Sequence, residues 1–131
     1  MIALDTNVIA RYLLEDDDKQ LKRATEVIEK HAIKKEGCFI SLVVLCELVW
    51  VLKSCARISK ATIVKVIHEL LATNGFVIEQ ESVAYSAISR FKDGKGDFSD
   101  YIISEVANTA NVKNTYTFDK KLKNDKNFTV I

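Results

Sequence analysis

Short apolar runs that halt on polar residues alternate along this chain with longer segments whose apolar side chains recur every three or four positions. The first run, Ile2, Ala3 and Leu4, stops at Asp5-Thr6-Asn7, which predicts a buried strand delivering Asp5 at its carboxyl end. Asp-Thr-Asn is also helix-cap chemistry, and Val8, Ile9, Tyr12 and Leu13 follow at helical spacing, so a short helix is expected from near Val8. Two readings of Asp5 stay open at this point, a plain helix cap or a functional acid at the sheet edge where ligands bind in open α/β folds. The run Glu15-Asp16-Asp17-Asp18 reads as a solvated turn with the N-terminal acid of the next helix. That helix is expected from 19 to about 31, with Leu21, Ala24, Val27 and Ile28 on one stripe, broken by Lys34-Lys35-Glu36-Gly37.

Cys38-Phe39-Ile40 predicts a second buried strand, and Ser41 caps a helix from 42 to about 55. Ser59 caps another helix carrying Ile63, Val64, Val66, Ile67, Leu70 and Leu71, closed by Asn74-Gly75. Phe76-Val77-Ile78 is a third strand, followed by a helix through Val83, Ala84, Ala87, Ile88 and Phe91 that stops at Asp93-Gly94-Lys95-Gly96. Asp97-Phe98-Ser99-Asp100 opens a helix with Ile102, Ile103, Val106 and Ala110. A strand over 112–118 halts on Asp119, and residues 128–131 form a last strand. Helices alternating with short apolar strands, without sustained strand-turn-strand spacing, predict an α/β fold with a mostly parallel sheet covered on both faces.

Length bounds this picture to one domain over residues 1–131, long enough to bury a core without disulfide or metal staples. A net charge of +1 supplies no global attraction to nucleic acid or membrane, so a polyanion site must come from local clustering. Cys38, Cys46 and Cys55 lack metal-ligand or disulfide spacing and read as reduced core residues. His31 and His68 are isolated, and exposed helix positions are expected for both. No basic and apolar leader precedes Asp5, so the protein is expected in the cytoplasm. The nearly uncharged run 38–52 is shorter than the roughly 20 residues of a membrane span and carries Glu47, so no membrane is expected.

The acids then change the picture. Glu47 has Val43, Val44, Trp50 and Val51 as helical neighbours, and a carboxylate on such an apolar face is costly to bury unless a cation or donors receive it. Lys53 and Arg57 do not lie at the favoured pairing distance along the helix. Asp97 and Asp100 stand at i and i+3 of a helix start, suiting both a capping box and ionised carboxylates able to ligate metal. Asp119 ends a strand as Asp5 does; a turn acid before Lys120-Lys121 is the plain alternative. A parallel α/β fold can bring Asp5, Glu47, Asp97, Asp100 and Asp119 to one edge, and clustered carboxylates call for a hard divalent cation. Such a set without catalytic His, Cys or Lys points to metal-assisted phosphodiester hydrolysis. Thr6 and Asn7 can take over the capping, leaving Asp5 for the metal. Gly94-Lys95-Gly96 has no phosphate-loop pattern, and Asn7 stands where an aspartyl-phosphate phosphatase wants its second acid.

Leu4-Asp5-Thr6-Asn7, the mid-helix Glu47, the run Asp97-Phe98-Ser99-Asp100-Tyr101-Ile102-Ile103 and Thr117-Phe118-Asp119-Lys120-Lys121-Leu122 together resemble the PIN-domain ribonucleases, specifically VapC-type toxins of bacterial toxin–antitoxin pairs. The resemblance spans nearly the whole chain. It implies a three-layer α/β/α sandwich with a central parallel sheet, Mg²⁺- or Mn²⁺-dependent cleavage of RNA, a homodimer, and a cognate antitoxin whose tail blocks the acidic pocket. Asp5, Glu47, Asp100 and Asp119 match the family's acidic quartet, Asp97 a frequent extra acid, and Thr6 and Thr117 positions whose hydroxyls help organise the site. On this reading Asp5, Asp97, Asp100 and Asp119 hold the metal, and Glu47 orients or deprotonates the attacking water. Lys113, Lys120, Lys121, Lys123 and Lys126 form the best local cationic excess for RNA, to which Arg11, Lys53 and Arg57 add; a solubilising surface is their plain alternative. The rival readings are a non-catalytic module whose acidic pocket receives a basic peptide, and a DNA nuclease or phosphatase of similar acid geometry.

Overall fold

Ile2–Ala3 form β1, which pairs in parallel with β2, Cys38–Ile40, placing Ile2 opposite Cys38. On the other side of β2 lies β3, Phe76–Ile78, again parallel, with Cys38 opposite Phe76 and Ile40 opposite Ile78. The computed structural model describes residues 1–34 and 36–131; Lys35, one residue of the break expected after the second helix, lies outside them. The chain forms two compact units, Met1–Glu81 and Ser82–Ile131.

In the first unit each parallel pair is joined by helices, as a parallel crossover requires. Between β1 and β2 run α1, Thr6–Leu14, and α2, Asp18–Ile28, which widens into a π-helical turn over Glu29–Ile33. Between β2 and β3 run α3, Leu42–Trp50, continued by a π-helical turn over Val51–Cys55, and α4, Lys60–Ala72. Side-chain caps set these starts, the two serines as expected. Asp17 accepts from Gln20 N at 3.0 Å, Ser41 Oγ from Val44 N at 3.2 Å, and Ser59 Oγ from Thr62 N at 3.3 Å. Each such cap contributes about 1 kcal/mol. Asn74-Gly75 closes α4 as expected: Gly75 has φ +94°, and a side chain there would collide with the Ala32 carbonyl.

The second unit contains α5, Glu81–Asp93, beginning on the last residue of the first unit, then α6, Phe98–Thr109, β4, Thr115–Thr117, a 3₁₀ turn over Lys120–Leu122, and β5, Phe128–Val130. β4 and β5 pair in parallel with Thr115 opposite Phe128. The strand expected over 112–118 is shorter at both ends. Asn111 turns left-handed at φ 63°, and Val112 N donates to Ala107 O, so Val112 finishes α6 instead of joining the ladder. Phe118 points into solvent, 80% exposed.

Arg90 ties this unit together. Its Nη1 donates to Ser104 Oγ at 2.9 Å and Glu105 Oε1 at 3.0 Å, and its Nη2 grips both oxygens of Asp125 at 3.0 and 3.1 Å. The guanidinium also lies 5.0 Å from the Tyr101 ring centre and 5.9 Å from that of Phe128. Phe91 and Phe98 meet edge to face at 6.1 Å.

All the strand pairings observed are parallel, as the alternation of elements predicts. Of the cysteines only Cys38 is a core residue; Cys46 is half-buried and Cys55 exposed. His31 and His68 are half-buried rather than exposed. Among the described residues no helix is long and apolar enough to cross a membrane.

Candidate active site

Asp5 follows β1 and occupies the N-cap position of α1 with extended backbone, φ −81° and ψ 159°. The helix therefore starts at Thr6, two residues before its apolar periodicity becomes visible. Both readings of Asp5 meet here: it holds the cap position, yet its side chain makes no capping hydrogen bond and is exposed. Thr6, expected to share the capping, does something else. It is 4% exposed and its Oγ1 donates to Glu47 Oε2 at 3.0 Å, across 41 residues of sequence.

Glu47 corrects the expectation of a costly buried carboxylate. Leu42, Leu45, Leu48 and Val49 form the buried stripe of α3, whereas Val43, Glu47 and Trp50 lie on its outer face, Val43 at 66% and Trp50 at 61% exposure. Glu47 is itself exposed, with Val43 and Trp50 beside it in solvent and Val44 and Val51 half-buried, so the burial cost does not arise. Thr6, Asn7, Cys46, Glu47, Trp50 and Val51 line a cavity of about 310 Å³. Burial, and then the charge of Glu47, push the Cys46 thiol up to about 11, so the cavity holds no thiolate nucleophile near neutral pH. Glu79, unremarked in the sequence, receives Leu42 N at 2.9 Å and so pins the start of α3 to the end of β3.

The other acids belong to the second unit. Asp97 is the N-cap of α6, and Asp100 Oδ2 accepts from Asp97 N at 2.8 Å, as the capping-box reading expects. Asp119 N donates to Thr117 Oγ1 at 3.0 Å while Asp119 Oδ1 accepts from Lys121 N at 2.9 Å, so the Thr117 hydroxyl holds the Asp119 backbone and the Lys121 amide its carboxylate. The Lys121 ammonium lies 4.0 Å from Asp97 Oδ2 and 3.7 Å from Asp119 Oδ2. Burial first, then the charges of Asp97 and Asp119, push the Asp100 carboxyl above its usual range, against the Asp97 backbone N–H and Lys121. The loop before Asp97 is set by Tyr101, whose hydroxyl accepts from Gly96 N at 2.9 Å. A side chain at Gly94 would collide with that same hydroxyl.

The cations expected to meet RNA divide. All five lysines are exposed, and of them Lys121 also faces the acids. Arg11 is already engaged, pairing with Asp16 at 2.9 Å and donating to Gln20. The acidic turn from Glu15 to Asp18 thus behaves as read from sequence: Asp16 pairs, Asp17 caps, and all four are exposed.

Hard carboxylate oxygens around a destabilised negative charge suit a divalent cation in their chemistry. In their present arrangement, among the described residues, no three His, Cys, Asp or Glu side chains stand together closely enough to hold one.

Because the native state binds the Asp100 proton more tightly than the unfolded chain, this group's contribution to stability is fullest below the ordinary carboxylate pKa and declines as pH rises through the raised native value. Asp100→Asn keeps an oxygen for Asp97 N and cannot ionise. In metal-free buffer it is expected to raise Tm by a few degrees at pH 7, with the gain vanishing below about pH 4. A lower Tm at pH 7 would contradict this electrostatic account.

The model of the PIN domain matches residues 2–126. PIN domains are typically metal-dependent nucleases, and six helices with parallel strands are compatible with the α/β/α sandwich of that fold. No curated protein and no solved structure matches the chain.

Proposed function

The chain belongs to the PIN-domain family, and from that premise we propose that it is a metal-dependent endoribonuclease acting as the toxin of a toxin–antitoxin pair. The single observation that carries the chemistry is the setting of Asp100, whose carboxyl is pushed above its usual range first by burial and then by the neighbouring charges of Asp97 and Asp119. Carboxylates kept together at such a cost are suited to a cation rather than to packing.

In this reading Asp5, Asp97, Asp100 and Asp119 hold Mg²⁺ or Mn²⁺, which when bound supplies charge neutralisation at the phosphate and a lowered pKa for water. Glu47, exposed and oriented by the Thr6 hydroxyl, positions the attacking water and takes its proton. Thr117 fixes Asp119, and the Tyr101 hydroxyl fixes the loop that carries Asp97. Lys120 and Lys121 meet the RNA backbone. The protein acts in the cytoplasm as one PIN-like domain, as a homodimer, and is held in check by an antitoxin whose basic tail enters the acidic pocket.

Single-stranded RNA, single-stranded DNA and a small phosphate ester, each offered with Mn²⁺ and with EDTA, separate this reading from its rivals. Cleavage of RNA alone, abolished by EDTA, is expected. Cleavage confined to DNA or the ester would replace the substrate, and no cleavage with no Mn²⁺-induced rise in Tm would overturn the enzyme reading.

A further inference from the structure

Trp50 is the chain's only tryptophan, and it is 61% exposed at the end of α3. Large aromatic side chains are usually well buried, so one held in solvent on a rigid helix is available for a partner. It stands three residues after Glu47, and both line the same cavity of about 310 Å³. Its lining mixes polar groups, Asn7 and the Thr6–Glu47 pair, with Trp50, Val51 and the protonated Cys46. None of its lining residues is a cation, and Glu47 brings a negative charge. The lining thus offers a phosphate no cation to pair with, whereas an uncharged nucleobase finds an aromatic face to stack on and an amide, Asn7, to meet its edge.

We infer that Trp50 is the stacking platform for one unpaired base of the RNA substrate, held in the cavity that also contains Glu47. This rests on the ribonuclease reading and adds to it a residue that binds substrate without touching the reacting phosphate. Recognition by stacking requires single-stranded RNA, because a base within a duplex keeps both of its faces covered.

The single tryptophan makes the test direct. A short single-stranded oligoadenylate is titrated into the full chain in EDTA, following Trp emission, while a fluorescein-labelled copy reports binding by anisotropy. Quenching of Trp50 in step with anisotropy is expected. Trp50→Ala should raise KM for cleavage about tenfold with kcat held, and Trp50→Phe should recover most of the loss. Binding by anisotropy with no change in Trp emission overturns the inference while leaving the ribonuclease reading intact. So does a Trp50→Ala variant that binds RNA normally but sediments as a monomer where the parent is a dimer, which assigns Trp50 to an interface between copies. If the parent neither binds nor cleaves RNA, the ribonuclease reading fails and this inference falls with it. Should Trp50→Ala not fold, the emission of the parent protein decides.

Discussion

Asp5→Asn is expected to slow metal-dependent RNA cleavage by about 10²–10³-fold without lowering Tm. The loss follows from the proposed role: a neutral amide is a poorer oxygen donor to Mg²⁺ or Mn²⁺ and removes one unit of the charge that holds the cation. The preserved stability follows from the geometry. Asp5 is exposed and makes no capping hydrogen bond, so its carboxylate gives α1 no side-chain contact to lose, and Asn is itself a favoured N-cap residue. Cleavage assays at saturating Mn²⁺, run beside thermal melts of both proteins, check the two halves together. Full activity in Asp5→Asn would remove Asp5 from the catalytic set. Equal losses of activity and stability would return it to the role of a plain cap.

Arg90→Ala should be strongly destabilising to the second unit. It strips the partner from Glu105 and from both oxygens of Asp125, leaves Ser104 Oγ without its donor, and removes the cation beside the Tyr101 and Phe128 rings. Unpairing a fully buried ion pair costs about 3–5 kcal/mol. Because Arg90, Glu105 and Asp125 keep some exposure, at 21%, 17% and 23%, solvent recovers part of that, and about 2–3 kcal/mol is expected. In a domain of this size that lowers Tm by roughly 10 °C. Arg90→Lys should recover little, since an ammonium cannot grip Asp125 with two parallel bonds and reach Ser104 and Glu105 as well. Denaturant melts of the three proteins settle the order. A loss below about 0.5 kcal/mol for Arg90→Ala would show that the network contributes only surface pairing. Since Tyr101 both stacks beneath Arg90 and anchors the Gly96 amide, the same substitution is expected to loosen the loop leading into Asp97.

Much of the architecture was legible because its signals are local. Ser41 and Ser59 cap the helices they were expected to cap, since a side-chain oxygen reaching an amide three residues on needs nothing beyond its own segment. Cys38–Ile40 and Phe76–Ile78 are strands as read, because short runs of apolar and β-branched residues between turn signals have few other uses. Where the reading drifted, a local signal had a competitor. Val112 and Phe118 looked like strand residues, but the left-handed turn at Asn111 and the exposure of Phe118 take them out of the ladder.

Among the candidate residues, the sequence could name the acids but not their surroundings. Glu47 stands out in the sequence for its apolar neighbours, but it lies with Val43 and Trp50 on the exposed face of α3 and is not buried. The spacing of Leu42, Leu45, Leu48 and Val49 already marked the other side of α3 as the buried one. That same spacing was the signal available for Trp50, an aromatic residue off the buried stripe.

By itself, then, the sequence determined the alternation of strands and helices, the parallel pairing that follows from it, and which carboxylates stand at strand ends and helix starts. Only the tertiary structure decided what the distant partners touch: Thr6 on Glu47, burial around Asp100, and Arg90 holding Asp125. The physical reason is range. Caps and periodicity act over three or four residues, whereas Thr6 and Glu47 are 41 residues apart and Arg90 and Asp125 are 35, and such pairings exist only once the chain has folded.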